Sequence, residues 1–378
     1  MITRADVERL LGARAPGPPV LSLYLRVLPQ PRALRRLPAR AAALIAGAAG
    51  GGTAGPGAAG TAAENQGIAQ RLLEVHAREW PGHTIAVFAS AGLGMAQAFP
   101  LPCGVPDRAV IAARPHVRPL LAVLQRHPSY YTAVAGPRLA WVFRVSADGI
   151  DRMIPPAGAG SVPGAVGWES LAPYRLGERV GGFARQPHRE IVTVLELAVR
   201  AGEGGPFVVG GDAEGARQLL GMLPEPMAER LAGTFTADPE TITAARMRDQ
   251  GNAVVEGWAG VRERRLVARL RREQPAGLAA TGLDECLAAA NQRAAELLIV
   301  PEDGLVPGFV CQRCGVLSRG GTDCPDGGAA RAAVPDLIEE MAVQLLGDGG
   351  QVETAGDPPG GIAAGLRLPL AVIEESAR

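Results

Sequence analysis

Apolar and polar residues alternate from Val20 to Val27 (VLSLYLRV), with Leu21, Leu23 and Leu25 on one face and Ser22, Tyr24 and Arg26 on the other, which predicts a strand. Arg32 to Ala46 reads as an arginine-rich helix, and Gly47 to Ala63, almost without side chains to pack, as a mobile loop. Ile68, Leu72 and Val75 recur at helical spacing within Asn65 to Arg78, and Thr84 to Ala89 is a second buried strand. A break at Arg114 to Pro119 (RPHVRP) precedes a helix over Leu120 to Gln125. Thr132 to Val134 and Ala140 to Val145 then alternate around Gly136-Pro137 as a hairpin. Proline and glycine crowd Pro155 to Gly167, and a polar stretch runs on to Arg189, so an exposed excursion is set off from the sheet before a helix over Glu190 to Arg200. Pro206 to Gly211 (PFVVGG) is a short strand ending at a glycine pair, and Ala213 to Leu223 is the helix after it, an α/β crossover. Asp238 to Arg272 reads as one long polar helix carrying Arg262, Arg264, Arg265, Arg269, Arg271 and Arg272 near its end. Leu278 to Glu296 (helix), Leu297 to Val300 (strand), Pro335 to Leu346 (helix), Gln351 to Thr354 (strand) and Ile362 to Leu368 (strand) make a third domain, an α/β sandwich. The expected fold class is α/β (α+β).

Composition adjusts this picture at three points. A chain of 378 residues with 47% hydrophobic and 20% charged residues fills two or three cores, so whole-chain disorder is excluded. The formal charge is +0 and the 38 basic residues are all arginine, so any contact with RNA must come from local arginine patches and not from the field of the whole molecule. Met1 to Leu10 has charges and no apolar core, and no run of 18 apolar residues follows; neither signal peptide nor membrane span is predicted. Five cysteines, an odd number with three close together, fit a reducing cytoplasm and not a disulfide framework. The absence of a long apolar heptad pattern predicts a monomer.

The strongest local chemistry is Cys311-Gln312-Arg313-Cys314 followed by Cys324-Pro325, because a CxxC knuckle presents two thiolates to one side of a metal and a second knuckle closes a tetrahedron. Here Gly327 stands where a second knuckle would have its last cysteine. Zinc would be held by Cys311, Cys314 and Cys324 with Asp326 or Asp323 as an oxygen ligand; the alternative is a degenerate knuckle without metal. A second constellation is Arg179-Val180-Gly181-Gly182-Phe183-Ala184-Arg185-Gln186. Its two glycines admit backbone conformations closed to other residues and its arginines suit phosphates, while the plain alternative is a Gly-rich surface turn. Cys103 and Cys286 receive no role. His116, His127 and His188 have no partner at catalytic spacing, and His76 and His83 flank the Trp80-Pro81 turn. No GxSxG, HExxH or P-loop occurs, and Gly210-Gly211-Asp212 reads as a strand-ending turn.

Taken in order, VLSLYL, TIAVFAS with PLPC, RPHVRPLLAVLQRHPSYYTAVAGPRLAWVFRV, GPFVVGGDAEGARQLLGMLP, GLDECLAAANQRAAELLIV, the partial cysteine ribbon and the ending DLIEEMAVQLLGDGGQVETAGDPPGGIAAGLRL resemble the bacterial branch of the archaeo-eukaryotic class 1 peptide chain release-factor superfamily, the Balon-like ribosome hibernation factors, over nearly the whole chain. The resemblance implies three domains: an N-terminal release-factor-like α/β domain over 1–118, a ribonuclease-H-like middle domain over 119–238 with the Gly-Gly loop, and an L7Ae-like C-terminal α/β domain over 239–378 with the degenerate Cys-knuckle insertion. It implies a ribosome-binding factor that occupies the A site, contacting rRNA and tRNA, with an elongation factor as an open further partner and neither DNA nor membrane. The family's Gly-Gly-Gln loop falls on Gly181 and Gly182, and its glutamine on Phe183, which can neither donate nor accept a hydrogen bond where a water must be positioned. The reading is therefore hibernation or rescue without peptide release and without a cofactor. Two alternatives stay open: a peptidyl-tRNA hydrolase in which Gln186 places the water, and an RNA- or protein-binding adaptor away from the ribosome. Arg179 and Arg185 in the loop, with Arg35, Arg36 and Arg40 near the N-terminus, are the candidate phosphate contacts.

Overall fold

The computed structural model describes residues 2–13, 19–49, 58–101, 104–137, 139–146, 149–154, 167–169, 186–200, 205–320 and 331–369. They form a mixed α/β protein of four sheets, and the chain divides into two compact units, Met1–Gln125 with Arg265–Arg378, and Arg126–Arg264.

In the first unit, α1 (Arg4–Gly12) opens with a capping box between Thr3 and Asp6. Then come β1 (Val20–Arg26), α2 (Pro31–Ala49), α3 (Ala58–Glu79), β2 (Thr84–Ser90), β3 (Met95–Leu101), β4 (Arg108–Ala112) and α4 (Arg118–Arg126). The strands make an antiparallel sheet of order β3-β2-β1-β4. The alternation read in β1 is real, yet both of its faces are covered. Leu21, Leu23 and Leu25 pack with Leu37, Ala41 and Ile45 of α2 and Leu73 of α3, while Tyr24 packs with Val7 and Leu10 of α1 and Leu120 of α4. Three details differ from the sequence pattern. The expected loop Gly47 to Ala63 is helical up to Ala49 and again from Ala58, since alanine favours helix; residues 50–57 lie outside the described residues. Ile68 and Leu72 pack against the core as expected, beside a more buried stripe of Asn65, Ala69, Leu73 and Ala77, but Val75 is 64% exposed. Finally α4 starts two residues earlier than expected and belongs to the first unit.

The second unit contains β5 (Tyr130–Ala135), β6 (Leu139–Ser146), β7 (Gly149–Ile154), β8 (Gly167–Glu169), β9 (Gln186–Pro187), α5 (His188–Arg200), β10 (Phe207–Gly211), α6 (Ala213–Leu220), α7 (Glu225–Ala228), β11 (Leu231–Thr236) and the first part of α8 (Ala244–Glu273). The expected hairpin is β5 with β6. The sheet runs β11-β10-β5-β6-β7-β8, with β9 also paired to β6, and β10 lies parallel to both β5 and β11. Ile191, Val194 and Leu195 of α5 and Leu219 of α6 cover one face; Met247 and Val255 of α8 cover the other, against Trp141 and Phe143. The expected helix from Asp238 starts only at Ala244. Asp238 instead closes a turn, accepting from Glu240 N at 3.0 Å and Thr241 Oγ1 at 2.8 Å, and Pro239 disfavours helical backbone at the residue before it.

The C-terminal part of the first unit adds β12 (Ala279–Thr281), α9 (Leu283–Asn291), β13 (Ala295–Pro301), β14 (Gly308–Cys311), β15 (Leu317–Ser318), β16 (Arg331–Val334), α10 (Leu337–Gly347), β17 (Gln351–Ala355) and β18 (Ala363–Leu366). The order β12-β18-β13-β17 forms one sheet and β15-β14-β16 a small ribbon. Leu270 of α8 covers one face of the larger sheet, and α9 and α10 cover the other. The expected helix Leu278 to Glu296 is a strand followed by a shorter helix, because Gly277 at φ 71° and Gly282 at φ 82° turn the chain on either side of β12.

Candidate functional site

Of the arginines singled out in the sequence, Arg35 and Arg36 are exposed on α2. Arg40, one turn on, is committed to structure: its Nη1 donates to Arg26 O at 3.1 Å and its Nη2 pairs with Asp107. Arg179, Gly181, Gly182, Phe183 and Arg185 lie outside the described residues. Gln186 opens β9, where its backbone pairs with Ala140 of β6.

The first half of the cysteine ribbon is a formed turn at the end of β14. Gly315 N donates to Cys311 O and Cys311 N to Val316 O, both at 2.9 Å, and Gly315 sits at φ 76°, which a side chain would resist. Cys311 is buried and Cys314 exposed. The turn carries two of the thiols that the sequence offers to a metal; Cys324, Asp323 and Asp326, as well as Cys103, lie outside the described residues. Cys286 is a core residue, and burial first, with Glu285 second, pushes its thiol up to about 12. The glycines of Gly210-Gly211-Asp212 are explained by packing. A Cβ on Gly211 would meet Ala135 O at 2.0 Å, and one on Gly215 would meet Gly136 O at 2.2 Å. Asp212 caps α6 itself, accepting from Gly215 N at 2.7 Å, so no anion is needed there.

The most chemically loaded place in the structure is one that spacing along the sequence does not reveal. The RPHVRP break, read as an interdomain boundary, is buried: His116, Val117 and Arg118 are at most 1% exposed. Val117 precedes α4 and offers no side-chain oxygen to cap it, leaving the first N–H groups of the helix without an internal acceptor. Glu339, in the first turn of α10, supplies the cap from across the fold. Its Oε1 accepts from Val117 N at 2.7 Å and its Oε2 from Arg118 N at 3.0 Å, while His116 Nδ1 stands 3.2 Å from Oε2. Asp336, the N-cap of α10, accepts from Ile338 N and Val306 N with Oδ1, each at 3.2 Å, and from Arg118 Nη2 with Oδ2 at 2.7 Å. The Arg118 guanidinium also donates to the carbonyls of Pro301, at 2.9 Å, and Gly304. The His116 backbone is held by Ser22 Oγ, which accepts from its N–H at 2.9 Å, and by the Tyr24 hydroxyl, which donates to its carbonyl at 2.5 Å.

This enclosure shifts the acids in opposite senses. Burial raises the Asp336 carboxyl above the ordinary aspartate value, against the pull of Arg118 and His116. Burial would also raise Glu339, but His116 and the Val117 and Arg118 N–H groups outweigh it and hold this carboxyl below the ordinary glutamate value. His116, Asp336 and Glu339 offer ligand atoms within 4.8 Å of one another. Every carboxylate oxygen there already accepts from a named donor, and Arg118 occupies the place beside Asp336 that a cation would need. The cluster is thus an ionic network, not a metal cage.

No protein-family profile and no curated protein sequence matches the chain. Among solved structures it is similar to S. cerevisiae Dom34, a translation termination-like factor involved in RNA quality control pathways and interacting with Hbs1, at 10% identity and TM-score 0.43 over 79% of this chain and 82% of that one. It is similar to ribosome-bound archaeal Pelota, described together with ABCE1, at 16% identity and TM-score 0.34 over 76% and 78%. It is also similar to the archaeal translation termination factor aRF1 at 12% identity and TM-score 0.23 over 96% of each chain. No described helix is long and apolar enough to cross a membrane.

Proposed function

We propose that this chain is a ribosome-binding factor of the class 1 release-factor superfamily that occupies the A site, in hibernation or rescue, without releasing peptide. The observation that carries the reading is Phe183 directly after Gly181-Gly182, where the family's glutamine would fall, within the family-like succession of segments. Topology supports the three domains. The order β7-β6-β5-β10-β11, with β10 parallel to both β5 and β11, suits a ribonuclease-H-like middle domain. The mixed sheet β12-β18-β13-β17 between helices suits an L7Ae-like C-terminal domain. Gln186, whose backbone belongs to a β-ladder, favours binding over ester hydrolysis. Archaeal Pelota has been described on the ribosome, and the proposal gives this chain a partner of the same class.

The test is co-sedimentation with vacant ribosomes at two salt concentrations, with peptidyl-tRNA hydrolysis read on the same sample. Binding without hydrolysis is expected. Replacing Arg35 and Arg36 by alanine should flatten the salt dependence, by about 0.9 in logarithmic slope for each duplex phosphate that is no longer neutralised. Hydrolysis by the unaltered protein would move it to the enzyme class, and failure to sediment at either salt would refute the ribosomal partner.

A further inference from the structure

Among the described residues, the hydrophobic clusters of the first unit follow a rule: none contains residues from both of its chain segments. Two draw only on residues before 125 and two only on residues after 265. The hydrogen bonds and ion pairs that join the segments are polar and mostly ionic. They include the His116–Arg118–Asp336–Glu339 network, Arg108 with Asp303, Arg114 with Glu340 at 3.7 Å, and Gln125 with Thr354. The last is threefold. Gln125 Nε2 donates to Thr354 O at 3.1 Å, and Thr354 N and Oγ1 donate to Gln125 Oε1 at 2.7 and 2.9 Å, closing the edge of β17.

Networks of this kind hold well while complete, but their net stabilisation is small, because desolvating the charges offsets most of what their attraction returns. This one is incomplete. His116 Nε2 and Arg118 Nε are buried without a hydrogen-bond partner among the described residues, and a buried donor left unmet weakens the state that encloses it.

We infer that the network is a latch: Glu339, which caps the N-terminus of α4, and Gln125 of α4, bonded to Thr354 of β17, hold the two segments of the first unit together, and the latch opens while the sheets on either side stay folded. In the closed state the two segments act as one body; in the open state each keeps its own core. A ligand that needs them differently arranged selects the open state and must supply the free energy of uncapping α4. The inference stands apart from the ribosomal reading, since it concerns only contacts within this chain.

Hydrogen exchange of the full chain tests it, because the amides of Val117, Arg118 and Thr354 are bonded to the latch side chains themselves. They should exchange together, faster than the amides of Leu23 in β1 and Ile299 in β13, and with little dependence on urea below the unfolding transition. Glu339→Gln should speed the Val117 and Arg118 amides roughly ten- to hundredfold, the effect of losing a charge-assisted hydrogen bond, and leave Leu23 and Ile299 unchanged. Exchange of all five with one urea dependence would make the unit a single cooperative body and overturn the inference. So would fraying of Val117 and Arg118 without Thr354, or equal acceleration everywhere in the variant. If Glu339→Gln does not fold, the urea dependence of the unaltered chain decides alone.

Discussion

Burial ordinarily drives a glutamate toward its neutral form, and Glu339 is only 5% exposed. It stays ionised because a histidine and two helix-terminal N–H groups are turned on it. A carboxyl whose folded value is depressed stabilises the fold fully above its unfolded value, 4.5 here, and loses that contribution as pH falls through the folded value. Asp336 works the other way. Its value is raised above 3.8, so its contribution is present below 3.8 and is lost as pH rises through the raised value. Urea denaturation across the acid range should therefore show the stability gap between the unaltered protein and Glu339→Gln closing below pH 4.5. Arg118→Met leaves Asp336 buried and unpaired, and a loss of about 3–5 kcal/mol is expected in the same assay, partly restored by Arg118→Met with Asp336→Asn. The thiols give a simpler reading: with a chelator present, iodoacetamide at pH 8 should modify exposed Cys314 and leave Cys286 untouched until the protein unfolds.

At the scale of the elements, the glycines of the second unit sort into those that permit a close approach and those that merely sit in helices. Gly215→Ala drives a Cβ onto the Gly136 carbonyl at 2.2 Å, so α6 must lift from β5; a loss of about 1–3 kcal/mol is expected from thermal denaturation. Gly257, inside α8 with nothing within 4 Å, should instead gain about 0.5–1 kcal/mol as alanine. Such contrasts also explain what the sequence disclosed. The β1 strand was legible because its leucines alternate with polar residues, and β10 because an apolar run ends at a glycine pair. The β12 strand was hidden, since Ala279-Ala280 is as suited to helix as to sheet, and α3 was legible through Ile68 and Leu72 but not in its most buried stripe, where Asn65, Ala69 and Ala77 accompany Leu73. The cap of α4 had no local sign at all: its acceptor stands 222 residues from Val117.

For the molecule as a whole, the pattern foretold mixed α/β layers and candidate arginines on a neutral chain, while the partner that Arg35 and Arg36 would meet rests on the proposed ribosomal role. The first unit is assembled from two segments of the chain, which Arg126–Arg264 separates in sequence. During synthesis the N-terminal sheet emerges and closes its core long before Glu339 exists, so α4 spends that interval without its cap. Completing the unit is a long-range event of high contact order, which is slow by nature. A nascent chain arrested near residue 264 should consequently present the RPHVRP segment to protease, and one released at full length should protect it, so that this short stretch records whether translation of the protein has finished.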